Sequence, residues 1–343
     1  MANIALENTV LEDIVQTPAL FNRSHWGCIR LTGADRVRFL HNQTTNNIEQ
    51  LATGQGCHTV FVTSTGRSID LTTVYAFEDA LLVVVSPGMS QQLYDWMDRY
   101  IFFSDKVTLK DEGEDTFLFT VLGADADSVM QQIGAAEAVG KSAFSHVSLS
   151  LPELGDITVA VGSELSVGGY TILGKKEQAA AVQNALVSAG AKAATTEQWE
   201  ALRVQQGRPA AGQELTDDDN PLEAGLWHGI SFEKGCYIGQ ETIARLNTYK
   251  GVKKRLWGLK LSEPVSVGAT ILVEDTKAGK VTSVVDADSG VFGLGYVRTK
   301  AGGEGLSVVV ENGDGKTVTG EAIALPFVSH DYPLDSTEPT KNR

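Results

Sequence analysis

Cysteine is sparse in this sequence of 343 residues: Cys28, Cys57 and Cys236 are the whole set. Their spacings of 29 and 179 positions leave no C-x-x-C pair. An odd, scattered set excludes a disulfide framework and fits a reducing compartment. Three thiols also fall short of the four thiolates of a conventional cubane cluster, so one chain is excluded as a complete cage for it. Basic residues are outnumbered, 28 Lys and Arg against 43 Asp and Glu, for a net charge of -15. That balance excludes broad nucleic-acid binding, which needs a net basic face. Long apolar runs are missing as well. The longest, Ala80 to Val85, is far shorter than the roughly 18 residues of a membrane span. Residues 1–20 hold Glu7, Glu12 and Asp13 but no basic residue, a pattern unlike a signal or transit peptide, so a cytoplasmic protein is expected. His25, His41 and His58 lack metal-ligand spacing, and no acid is placed by sequence to complete a triad.

What is present is patterned for a mixed fold. The Thr32-Gly33-Ala34-Asp35 stretch, read as a capping box, predicts a short helix that runs into the polar segment Asn42 to Asn47. Strands are expected at 59–63, 72–77 and 81–86, the last two joined by Glu78-Asp79 as a hairpin. Leu93, Trp96, Met97, Tyr100 and Ile101 recur at helical spacing and predict an amphipathic helix across that hairpin. The alternation continues with strand 116–122, helix 125–133, strands 157–161 and 170–173, and a helix from 176 to 189 stopped by Gly190. A further helix, 197–206, has Thr195 or Thr196 to cap its start and Gly207 its end. Beyond Lys253 the texture changes to short glycine-broken strands at 256–261, 270–273, 280–285, 293–297 and 306–310, as in a small β-barrel.

Two segments carry candidate chemistry. In Lys234-Gly235-Cys236-Tyr237-Ile238-Gly239-Gln240-Glu241, the glycines suit a tight loop with exposed amides, and Lys234 and Arg245 could stabilise a Cys236 thiolate. Read by spacing alone, Cys236 is a small inert buried thiol in an ordinary loop. The stretch Arg245 to Arg255 holds five basic residues and no acid. It is either a solvated strand entry or an attraction for an acidic tail on a ligand.

The Lys234 to Glu241 segment resembles the signature of the YgfZ family, and Thr242 to Gly251 resembles that family's cyanobacterial and plastid branch. The likeness extends to Leu31-Thr32-Gly33-Ala34-Asp35-Arg36, Phe39 to Asn46, Leu202-Arg203, Gly207 and Pro221 to Leu226, the last three similar to the folate-binding core of glycine-cleavage T-proteins. The resemblance implies an α+β fold: two α/β lobes around a central cavity over 21–250, a C-terminal β-barrel over 253–328 and a flexible tail over 329–343. It further implies tetrahydrofolate or a one-carbon derivative as ligand, with Gln205, Glu223, Trp227, Lys234, Asp70 and Arg245 as contacts and Cys236 as the working residue. Iron-sulfur assembly factors or [4Fe-4S] client enzymes are the implied partners of a monomer, with the plastid stroma as the alternative location.

Two departures from the T-protein pattern move the expectation away from transfer chemistry. The paired-aspartate segment reads Asp70-Leu71 here, and the helical glutamate that pairs with the pterin is replaced by Gln205. A neutral amide still donates and accepts, yet it lacks the charge-assisted bond of a carboxylate. The expected function is therefore an accessory factor for [4Fe-4S] enzymes, with aminomethyl transfer to tetrahydrofolate as the alternative.

Overall fold

Alternating strand residues decide how the layers stack. The computed structural model describes residues 16–287 and 289–332; the acids Glu7, Glu12 and Asp13 and the tail beyond Tyr332 lie outside them. The chain opens with β1 (Ala19–Asn22), β2 (Gly27–Thr32), α1 (Arg36–Gln43), β3 (Gln55–Val62), β4 (Ser68–Ala76), β5 (Ala80–Val85), α2 (Ser90–Asp98) and β6 (Thr108–Asp111). It continues with β7 (Thr116–Leu122), α3 (Ala126–Gln132), β8 (His146–Leu151), β9 (Gly155–Val161), β10 (Gly169–Lys175), α4 (Ala179–Ser188), β11 (Lys192–Ala194), α5 (Thr196–Gln206) and α6 (Gln240–Thr248). The last strands are β12 (Lys254–Leu261), β13 (Thr270–Val273), β14 (Thr276–Ala287), β15 (Gly290–Arg298), β16 (Ser307–Glu311) and β17 (Thr317–Ile323).

An antiparallel sheet runs in the order β3-β4-β5-β2-β6, and a second sheet in the order β11-β1-β7-β10-β9-β8. In the first, Ile29, Leu31, Val74, Val83 and Val85 face outward onto Phe39 and Leu40 of α1 and Leu93 and Met97 of α2. Their neighbours Cys28, Tyr75, Leu82 and Val84 face inward onto Phe21, Leu118 and Leu173 of the second sheet. Leu20, Phe119, Val121 and Ile172 then cover α3 and α4 on the far side. Period-2 alternation thus builds four layers, helix, sheet, sheet, helix. β5 is apolar at every position because both its faces are covered.

The hairpin at Glu78-Asp79 forms as expected, Phe77 N donating to Ala80 O at 2.8 Å. α5 also starts and stops where its caps predict. Thr195 accepts from Gln198 N, the Gln198 side chain returns to Thr195 N, and Gly207 closes the helix at φ 80. A Cβ at Gly207 would lie 2.6 Å from Leu325, so backbone and packing both demand glycine. The capping box expected before α1 does not form. Asp35 is the N-cap residue but makes no cap bond, because its carboxylate accepts from Lys106 N at 2.9 Å.

β12 to β17 close into a six-stranded barrel in the order β12-β15-β14-β13-β16-β17. Leu256, Phe292, Leu294 and Tyr296 of the barrel share a core with Val60, Val62 and Leu71 of the first sheet and Val204 of α5. Residues 329–332, expected to be part of a flexible tail, are packed instead. Ser329 N donates to Gly225 O, the His330 ring lies 3.9 Å from that of Trp257, and Tyr332 packs at a tilt against Trp227.

Candidate functional site

Between the two sheets and the barrel sits a set of buried charges that periodicity does not reveal. Arg23, which follows β1, donates to Thr120 Oγ1 at 2.8 Å and lies 4.4 Å from the Trp26 ring and 4.8 Å from that of Trp199. Arg208 covers Trp26 at 4.7 Å and stands 3.6 Å from Glu164 Oε2. Glu164, held at φ 68, accepts from Thr73 Oγ1 at 2.6 Å and from His58 Nε2 at 3.1 Å. The other His58 nitrogen is 3.2 Å from His228 Nε2, and His228 reaches the surface. No acid was expected for His58; the fold supplies one from 106 positions away. Glu164, His58 and His228 thus form one hydrogen-bonded chain, in which burial and the neighbouring His58 and Arg208 push His228 down to about 3.

Burial would push the Glu164 carboxyl up, but His58, Arg208 and Arg23 together outweigh it and hold the group below the ordinary carboxylate range. Asp70 shows the opposite balance. It is fully buried, and desolvation raises it from 3.8 to about 6 despite the Ser86 amide at 2.9 Å and the nearby Arg208 charge. A carboxyl raised in this way contributes most below its unfolded value of 3.8, loses that contribution as pH rises to 6, and is a constant burden above. Asp70→Asn keeps the acceptor for Ser86. It is expected to stabilise the protein at pH 7.5 by on the order of 2 kcal/mol, with the gain vanishing below about pH 4. Denaturant unfolding of both proteins at the two pH values checks this; an unchanged difference would disprove the raised carboxyl.

Several buried polar atoms here have no protein partner: Asp70 Oδ1, Arg23 Nη1, Arg208 Nε, Trp26 Nε1 and both side-chain polar atoms of Gln205. Such orphans are rare in interiors and mark places where a ligand or water completes the bonding. Gln205 is only 8% exposed, so its position on α5 is internal. A planar heterocycle with N–H donors and ring acceptors suits the Gln205 amide, which offers both roles.

The other expected contacts fall elsewhere. The Glu223 carboxylate accepts from Asn220 N at 3.2 Å, and Asn220 Oδ1 accepts from Glu223 N, so Glu223 closes a local turn. Trp227 packs against Tyr332, the ring centres 4.9 Å apart and the planes tilted by 59°. Arg245 is exposed on α6. In the basic stretch, Lys254 bonds Asp219 at 2.5 Å and is not available as a free charge.

Lys234 was expected beside the Cys236 thiolate. Its ammonium instead donates to the carbonyl oxygens of His41, Thr44 and Asn46, filling the C-terminal end of α1. A cation there meets carbonyls that the helix leaves unpaired. Burial pushes this lysine down to about 7. Ile238 N adds a bond to Asn42 O, and Gly239, at φ 82, lets the loop pass Thr63 O, which a Cβ would approach to 2.5 Å. The glycine thus serves close packing, and Lys234 acts as the anchor of the loop.

Cys236 itself is exposed. It lines a cavity of about 540 Å³ with Gln43, Tyr237 and other residues of α1 and the turn after α2. None of these belongs to the polar cluster. α1 covers the outer face of the first sheet, whereas His58 and Thr73 bond Glu164 from the inner side.

Residues 9–234 match the family model described as the GCVT N-terminal domain, and residues 253–323 match the CAF17 C-terminal beta-barrel domain. A protein of Arabidopsis thaliana named as a chloroplastic transferase is 44% identical over 312 residues, covering 90% of this chain and 71% of that protein. An aminomethyltransferase of Halothermothrix orenii is 25% identical over 320 residues, 90% of this chain and 88% of the relative. The crystal structure of the glycine cleavage system aminomethyltransferase T from Bartonella henselae shares the fold, with a TM-score of 0.80 over 94% of this chain and 90% of that one at 21% identity.

Proposed function

Since this chain belongs to the family that joins a GCVT N-terminal domain to a CAF17-type barrel, the YgfZ-type relatives of the T-protein, we propose that it is a tetrahydrofolate-binding accessory protein for [4Fe-4S] enzymes. In this reading the buried polar cluster holds tetrahydrofolate or a one-carbon derivative, and Cys236 acts on client proteins or on assembly factors. The observation that carries the folate half is the Gln205 amide, buried on α5 with both of its polar atoms unpartnered. Its oxygen and nitrogen suit the donor and acceptor edge of a pterin. The place of action is the cytoplasm or, as the name of the Arabidopsis relative supports, the plastid stroma.

Calorimetric titration with tetrahydrofolate tests the binding. A one-to-one complex is expected, weakened about 10- to 100-fold by Gln205→Leu, which removes both hydrogen-bonding atoms. Absence of any binding to the wild-type protein would overturn the folate half.

The buried Asp70 supports a second reading, aminomethyl transfer to tetrahydrofolate, because a carboxyl raised to about 6 can exchange a proton near neutrality. The same titrated samples, supplied with aminomethyl-lipoyl carrier protein, separate the two. Robust methylene-tetrahydrofolate formation would favour the transferase.

A further inference from the structure

The cavity beside Cys236 has a chemistry of its own. Its volume, about 540 Å³, lies within the range of small-molecule sites. Gln43 lines its wall, is only 6% exposed, and leaves its side-chain oxygen buried without a hydrogen-bond partner. A half-turn of that amide exchanges oxygen and nitrogen, so the group can accept from or donate to a ligand amide. Arg38 and Asp105 stand together at the rim, 3.4 Å apart, with Asp35 behind them also 3.4 Å from Arg38. The Arg38 side chain is 61% exposed, so it can turn from Asp35 and Asp105 to a ligand carboxylate and leave Asp105 to receive an ammonium. Between these polar groups the wall is aromatic, and Phe102 there is 69% exposed.

An unpaired amide, one charge of each sign, an apolar wall and an exposed thiol describe a ligand with matching groups. We infer that the cavity binds a small zwitterionic thiol or its disulfide, a compound bearing an ammonium, a carboxylate and amide groups, and presents its sulfur to Cys236. With the disulfide bound, Cys236 loses its proton to solvent and its sulfur attacks one ligand sulfur. The ligand S–S bond breaks, a Cys236–ligand disulfide forms, and the second half leaves as a thiolate that takes a proton from solvent. One disulfide replaces another, so no further oxidant is needed. The cap is reversible by a second exchange, and while in place it keeps an exposed thiol off the path to irreversible oxidation. Neither folate binding nor cluster handling enters this inference, so each can fail without the other.

The full chain is incubated with glutathione disulfide and, in parallel, with hydroxyethyl disulfide, which lacks the charges and amides. Adducts are followed by intact mass and assigned to Cys236 by peptide mapping. Each rate is normalised to that of a short unstructured peptide holding one cysteine. Glutathione disulfide is expected to saturate and, below saturation, to react about tenfold faster than hydroxyethyl disulfide on this normalised scale. Arg38→Ala and Gln43→Leu should each remove about 3- to 10-fold of that preference. Arg38 is exposed, so its variant remains informative where Gln43→Leu disturbs folding. Equal normalised rates for the two disulfides, or a preference that survives Arg38→Ala intact, would overturn the assignment.

Discussion

Cys236→Ala is expected to abolish the rescue of [4Fe-4S] enzyme activity in cells lacking this protein while leaving its stability within about 0.5 kcal/mol of wild type. The two parts of the result come from different facts. The side chain is exposed, belongs to none of the hydrophobic cores and resolves no hydrogen bond, so its removal opens no cavity. The surrounding loop is held by Lys234 in the carbonyls at the end of α1 and by Ile238 N on Asn42 O, neither of which involves the thiol. What alanine removes is therefore the sulfur alone. Cys28 and Cys57 cannot substitute. Burial raises both thiols to about 12, leaving a negligible thiolate fraction at neutral pH. Activity of a [4Fe-4S] enzyme in the complemented strain and thermal unfolding of the purified variant are the two measurements. Full rescue by the alanine variant would dismiss the thiol role.

Glu164→Ala should produce the largest loss of stability, about 3–5 kcal/mol, as expected when one member of a buried ionic group is deleted. Arg208, Arg23 and His58 all draw on this carboxylate, and both guanidiniums are nearly inaccessible to solvent. Alanine leaves Arg23 without a carboxylate and Arg208 with Asp70 alone, and removes the acceptors for Thr73 and His58. Glu164→Gln keeps one acceptor oxygen and the shape, and is expected to fall between alanine and wild type. The pH dependence has a definite sign. A carboxyl lowered by folding contributes fully above its unfolded value of 4.5 and loses that contribution as pH falls below it. The wild-type protein should accordingly weaken in acid more steeply than Glu164→Ala, a trend opposite to that produced by Asp70. Denaturant unfolding between about pH 3 and pH 7 reads both. A loss under about 1 kcal/mol for the alanine variant would mean that the guanidiniums are balanced elsewhere.

Much of the site region was legible because its signals are local. Thr195, Gln198 and Gly207 bracket α5, and hence place Gln205 on a helix, through bonds that span three or four residues. The hairpin β4–β5 and most barrel strands follow from alternation and turns. The pattern reading gave no strand at β1, β2, β6 or β8 and also missed β17, β11 and α6, the last three because their signal is weak. β17 carries Gly320 and Glu321 among its apolar residues, β11 is three residues long, and α6 buries only Ile243. Its packing, not its periodicity, makes α6 a helix.

The sequence by itself determined the layered mixed fold, the barrel, the capped helix of Gln205 and the unusual loop around Cys236, because each is written in spacings shorter than a few turns. Tertiary structure alone decided what those residues do to one another. It set Glu164 against His58 across 106 positions and His228 against His58 across 170, and it drew Lys234 away from the thiol to carbonyls 188 to 193 positions earlier. It also placed Cys236 outside the first sheet and the polar cluster inside it. The reason is that a buried charge goes wherever the assembled fold offers a counter-charge or an unpaired carbonyl, and that choice exists only once distant segments have been brought together.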